Sequence, residues 1–138
     1  MELKKKSGFT LLEIIIVIII VGVLASLALP RFFSTVEFAK STEALASLGA
    51  VRQSLERFYL AHGSTYTGSA VDALDLEDPS NSPNHHFTYD ISNQSANGYR
   101  IQATRNTLDG GTSGDLIYLI LAGNSITRGG TGRFVGIQ

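Results

Sequence analysis

A single carboxylate, Glu13, stands inside an otherwise apolar run from Phe9 to Leu29, flanked by Leu12 and Ile14. An ionised glutamate in a membrane-length helix costs about 2.5–3.5 kcal/mol on insertion scales, so its chemistry is that of an acid in need of a counter-charge. Favourable placement at the positive end of its own helix dipole is worth about 0.3–1 kcal/mol, too little to offset burial. A cation held beside it in low dielectric is the stronger partner. Elsewhere, Asp72, Asp75, Glu77 and Asp78 supply oxygen atoms suited to a hard cation, but their spacing matches no calcium loop and a solvated acidic turn is the simpler reading. His85 and His86 are adjacent. In an extended segment neighbouring side chains point to opposite faces, which disfavours one metal held by both. The chain has no cysteine, its only other histidine is His62, and no nucleophile sits in a recognisable strand-to-helix elbow. Gly110-Gly111 and the glycines from Gly129 to Gly132 lack the lysine and the strand-to-helix setting of a phosphate loop, and read as turns. These residues imply no cofactor and no catalytic set, and describe a building block rather than an enzyme.

The element that must position Glu13 is a helix. Phe9 to Leu29 is 21 residues, and at about 1.5 Å per residue it covers the roughly 30 Å hydrocarbon thickness of a bilayer. Lys4, Lys5 and Lys6 precede it and only Arg31 follows closely. The positive-inside bias therefore places the amino end in the cytoplasm and the rest of the chain outside. Gly22 and Pro30 bracket Val23–Leu29, where glycine lowers helix propensity and proline removes an intrahelical hydrogen bond. A kinked but intact helix is expected for the single subunit, with melting reserved for a packed polymer that can take up the freed backbone groups. A removable secretory signal cut near Ser26-Leu27-Ala28 would have a shorter core, of about 7–15 residues, without a carboxylate. A plain signal anchor leaves both Glu13 and the Gly8-Phe9 junction unexplained.

Residues 6 to 13, Lys-Ser-Gly-Phe-Thr-Leu-Leu-Glu, resemble the processing site of type IV pilins and type II secretion pseudopilins. The resemblance implies a cut between Gly8 and Phe9 by a prepilin peptidase, N-methylation of Phe9, and Glu13 as the fifth residue of the mature chain. Gly22 and Pro30 fall where family members commonly carry helix-loosening residues. The firm likeness covers roughly residues 4 to 60. It implies insertion in the bacterial inner membrane followed by polymerisation of like subunits through their N-terminal helices. The partners it implies are an assembly ATPase and an inner-membrane platform protein, and the product is an extracellular pilus serving adhesion, motility or DNA uptake. Two alternatives stand beside the pilus subunit: a pseudopilin in a short periplasmic fibre, and an uncut, monomeric, membrane-tethered binding domain.

The remaining chain is one modest domain. The whole 138-residue sequence has a formal net charge of −1, and removal of residues 1–8 takes away three lysines and one glutamate, leaving −3. That balance suggests no nucleic-acid partner directly. Without cysteine, stability must come from packing and assembly, a departure from the C-terminal disulfide loop of many pilins. Val36, Ala39, Leu45, Leu48, Val51, Leu55 and Phe58 recur at helical spacing between charged residues, giving an amphipathic helix over 31–62 that ends at Gly63. Residues 63–86 read as a connecting loop. Alternation at Phe87/Tyr89/Ile91 and Tyr99/Ile101/Ala103, and the apolar run Leu116–Leu121, predict antiparallel strands within 87–138, with a further edge strand over 133–137. The expected class is α+β and pilin-like, with a leader over 1–8, an apolar polymerisation helix over 9–30, and the amphipathic helix packed on a C-terminal antiparallel sheet.

Overall fold

The computed structural model describes residues 8–137; most of the expected leader over 1–8, with Lys4, Lys5 and Lys6, lies outside that range. The architecture is α+β: one long helix, α1 (Leu11–Ala61), followed by a four-stranded antiparallel sheet. The helix is continuous through Gly22 and Pro30. The chain divides into two compact units, Met1–Val36 and Glu37–Gln138.

In the first unit α1 starts where Thr10 Oγ1 accepts the Glu13 N–H at 3.2 Å, satisfying one of the unpaired donors of the first turn. All residues from Leu11 to Thr35 are exposed. Along Val23–Leu29 the hydroxyl of Ser26 donates to the Val23 carbonyl at 2.7 Å, and Thr35 donates to the Arg31 carbonyl at 3.0 Å.

In the second unit the strands are β1 (Phe87–Ser95), β2 (Gly98–Arg105), β3 (Leu116–Ala122) and β4 (Ser125–Gly130), in that spatial order. Register aligns Ile91, Ile101, Leu119 and Arg128 in one row, and Tyr89, Ala103, Ile117 and Gly130 in another. Period-two alternation then sends Phe87, Ile91, Tyr99, Ile101 and Ile117 into the core with Ala44, Leu48, Val51 and Leu55 of α1. The buried helix face keeps Leu48, Val51 and Leu55 of the expected apolar stripe and departs from it at the N-terminal end. Glu37, Ser41 and Ser54 are buried while Ala39 is exposed, because the buried positions step 37, 41, 44, 48, 51, 55. Past Ala61 the chain leaves the helix through Gly63 at φ 71°, with the Ser64 N–H donating to the Tyr59 carbonyl at 2.9 Å.

The fourth strand departs from the sequence reading. It is formed by 125–130, and the segment expected as an edge strand instead makes a 3-10 turn over Gly132–Phe134. Gly132 at φ 60° turns the chain inward and drops Phe134, 1% exposed, into the core beside Phe87 at 5.7 Å between ring centroids. Gly129 and Gly130, read as turn residues, lie in β4. A Cβ on Gly129 would meet the Tyr118 ring at 2.7 Å, and one on Gly130 would meet the Phe134 carbonyl oxygen at 2.3 Å. These positions are glycine for want of space. The connection over 63–86 is also more structured than a loop: Tyr66 and Val71 join the core, and short 3-10 turns at Val71–Ala73 and Pro79–Asn81 lie against β1.

Candidate processing and assembly site

Gly8 and Phe9 precede the helix as exposed, irregular backbone, and Phe9 is 77% exposed. An extended, accessible peptide bond is what a protease needs, since regular helix hides both its amide and its carbonyl. Glu13 follows at the third position of the first turn, so Thr10-Leu11-Leu12-Glu13 has the spacing of a capping box, and its Thr10 half is made. The sequence reading weighed Glu13 against its helix dipole and as the partner of a cation, and overlooked the Thr10 cap, which the Thr-x-x-Glu spacing announces. The Glu13 carboxylate has no salt-bridge partner among the described residues. Around it Leu11, Leu12, Ile14 and Ile18 are each about half exposed or more, and the helix is long and apolar enough to cross a membrane. An uncovered apolar surface of this length needs lipid or other helices against it.

The acidic positions of the loop do separate work. Asp75 accepts from the Ser54 hydroxyl and from Arg57, whose Nη2 lies 2.8 Å from Oδ1. These hydrogen bonds, Arg57 first, hold the Asp75 carboxyl down to about 2. Asp78 caps its 3-10 turn by accepting the Ser80 N–H at 2.8 Å, and Asp72 lies in the preceding turn. Glu77 is exposed. Among the described residues no group of three or more acidic or histidine side chains is arranged to hold a metal ion. His85 and His86 part company: His86 Nε2 lies 2.9 Å from Asp109 Oδ2, while His85 Nδ1 lies 3.0 Å from the Ser82 carbonyl oxygen.

Sequence reasoning missed a buried ion pair. Arg105 is 1% exposed and Glu37 is 6% exposed. Arg105 Nε and Nη2 donate to the two Glu37 oxygens at 3.1 and 3.0 Å, while the remaining N–H groups reach the carbonyls of His86, Asn106 and Leu108. Hydrogen bonding from Arg105 holds the Glu37 carboxyl below its ordinary value against the opposing effect of burial. One side chain thereby ties the helix, the residue that precedes β1 and the β2–β3 connection together. Its signal was present in the alternation: Arg105 continues the inward phase of Tyr99, Ile101 and Ala103. At the opposite end of the domain, Tyr99 is buried and its hydroxyl is pushed up to about 12, chiefly by desolvation.

With this geometry in view, comparison with known proteins places the chain. Residues 30–115 match the family described as type IV minor pilin ComP, DNA uptake sequence receptor, and residues 3–29 match the prokaryotic N-terminal methylation motif. The chain belongs to this type IV minor pilin family. Among similar proteins, the type II secretion system core protein G of Pseudomonas aeruginosa is 36% identical over 86 residues, 60% of this chain and 58% of that protein. A probable minor fimbrial protein of Dichelobacter nodosus is 38% identical over 73 residues, 53% of this chain and 45% of its own. The type IV major pilin protein PilE1 of Neisseria gonorrhoeae is 40% identical over 58 residues, 42% of this chain and 35% of its own. The chain thus spans about half the length, or less, of these relatives, and no solved structure matches.

Proposed function

We propose that the protein is a subunit of a type IV pilus-like filament. It is held in the inner membrane by its apolar helix, cut between Gly8 and Phe9, N-methylated at Phe9 and polymerised helix against helix. The observation that carries this reading is Glu13, a carboxylate five residues into the mature chain with no salt-bridge partner among the described residues, on a helix segment exposed from Leu11 to Thr35. Cleavage frees an α-amino group whose ordinary pKa, about 7.7–8.0, leaves it mostly cationic at neutral pH. The amine of Phe9 on an incoming copy pairs with Glu13 of its neighbour, and because an unmatched charge in low dielectric is expensive, the pairing fixes the axial register. Gly22 and Pro30 let Val23–Leu29 yield as the helices close-pack. A prepilin peptidase, an assembly ATPase and a platform protein serve this sequence of events, and the domain after Pro30 faces outward throughout.

The role we assign to the filament is DNA uptake, on the strength of the family description over residues 30–115; the charge balance by itself points to no polyanion. The secretion-system relatives favour a second reading, a pseudopilin that uses the same helix in a periplasmic fibre. One experiment separates them: intact mass and N-terminal sequence of the protein from membranes and from sheared surface material, with transformation and secretion measured in a deletion strain. A methylated Phe9 start in the sheared fraction together with lost transformation supports the pilus subunit. The same start confined to the cell envelope with lost secretion supports the pseudopilin, and an intact Met1 start overturns both in favour of a tethered domain.

A further inference from the structure

Arg52, Glu56 and Tyr59 stand on one face of α1 and open onto a cleft of about 560 Å³ at the end of the sheet. Its other wall is Tyr66 with the β1–β2 and β3–β4 turns, which bring Asn97 and Asn124 to the rim. The two turns are tied together, the Gly123 N–H donating to the Asn97 carbonyl at 2.9 Å. The volume is that of a small-molecule site, roughly 300–1,000 Å³. The lining is polar and carries no net charge: Arg52 and Glu56 are its two charged groups, and they form no salt bridge with each other. Glu56 Oε2 accepts the Tyr66 hydroxyl at 3.2 Å. The Tyr59 and Tyr66 rings lie 4.6 Å apart and Tyr99 meets Tyr66 edge-on at 4.7 Å, so one side of the cleft is backed by aromatic surface. Tyr99 is 1% exposed, and its hydroxyl and Arg52 Nε are buried with no hydrogen-bond partner among the described residues. Buried polar atoms are seldom left so.

We propose that this cleft binds a neutral saccharide. A pyranose ring matches the lining on each count. Its C–H face is apolar and packs on a tyrosine ring. Its rim of hydroxyls both donates and accepts, as the Asn97 and Asn124 amides and the Glu56 carboxylate require. It brings no charge, whereas an anion attracted by Arg52 is repelled by Glu56 one turn away, and for a cation the roles reverse. The buried Tyr99 hydroxyl lies close to both charged side chains, and their reordering around a ligand supplies the partner it lacks. Every group involved belongs to the second unit, so the binding is independent of the filament reading.

The test uses the full chain, purified from membranes in dodecylphosphocholine, a detergent with neither a sugar headgroup nor aromatic protons. Glucose, galactose and N-acetylglucosamine are the probes, each read by saturation transfer from the irradiated aromatic protons of the protein. At least one of them gives a saturable signal that is the same at low and high salt, as a neutral ligand requires. Tyr59→Ala raises its Kd about tenfold or more. Because Tyr59 also packs on Tyr66, Asn124→Ala serves as a second variant. It lies on an exposed turn, and loss of one hydrogen bond there raises the Kd by about threefold. Tyr118→Ala, between Ile117 and Leu119 and so on the opposite face of the sheet, leaves the Kd at the wild-type value. Absence of transfer to all of these sugars overturns the assignment, as does transfer that survives both cleft variants unchanged. Diglycine or a short deoxyoligonucleotide that saturates the cleft while the sugars stay silent overturns it in favour of a zwitterion or a nucleic acid.

Discussion

The two halves of α1 invert the usual relation between hydrophobicity and burial. From Leu11 to Thr35 the helix is almost wholly apolar and every residue is exposed, whereas from Glu37 to Ala61 it buries seven residues, three of them Glu37, Ser41 and Ser54. Composition therefore does not say what a helix packs against in its own chain. The second half is matched by a sheet that supplies both apolar contacts and a counter-charge. The first half finds no partner within its own unit, which is what a segment covered by lipid and then by other copies must look like.

The comparison breaks most completely at the charge on each half. Glu13→Val leaves cleavage after Gly8 intact but abolishes recovery of the chain in sheared filaments, because the variant keeps the apolar surface and loses the register charge. Normal filament yield would sink the pairing with the Phe9 amine. On the packed half, Arg105→Ala strands a buried carboxylate and lowers stability by about 3–5 kcal/mol, read as a fall in denaturation midpoint without loss of membrane insertion. The sign of its pH dependence follows from Glu37. Its folded pKa lies below the 4.5 of the free side chain, so the stabilisation is complete above about pH 5 and is lost as pH falls through the folded value. Wild type should lose stability on acidification over that range more steeply than Glu37→Gln, and equal slopes would mean the pair does not govern acid unfolding.

An effect of at most the same size is expected from packing alone. Phe134→Ala removes a ring that is 1% exposed and costs about 3–5 kcal/mol if the turn at Gly132–Phe134 cannot collapse, less if it can. Thermal unfolding compared with Val135→Ala, an exposed neighbour, isolates that contribution, and similar midpoints would refute the inward placement of the C-terminal segment. The smallest expected change is none. Chelators should leave the melting temperature where it is, since the Asp75 carboxylate is already satisfied by Ser54 and Arg57. A drop of several degrees would restore the acidic segment as a cation site.

The helix, the first three strands and the class of fold were legible because period and punctuation agree there: helical spacing as far as the Gly63 stop, and alternation in β1 and β2. Three features were not. Ser125–Gly130 carries little strand propensity and is recruited by its ladder with β3, a tertiary effect that no local window contains. Gly129 and Gly130 look like punctuation, yet they are glycine because Tyr118 and Phe134 occupy the space. Glu37 was not singled out, because a carboxylate on an amphipathic helix usually faces solvent, and only the inward phase of Arg105 betrays its partner. At the N-terminal site the residue types were plain, but the cap was not singled out: Thr10 Oγ1 accepts the Glu13 N–H and starts the helix, a bond that leaves the Glu13 carboxylate uninvolved.

The Glu37–Arg105 pair joins positions 68 residues apart. As the polypeptide is made, the glutamate arrives long before its guanidinium, and until β2 is complete its native partner is missing. A chain that ends before residue 105 lacks the guanidinium that offsets burial of this acid, leaving only Lys40 Nζ at 3.5 Å beside it. The pair thus ties the packing of α1 to completion of β2, because the acid placed on the helix is compensated only by a residue 68 positions later.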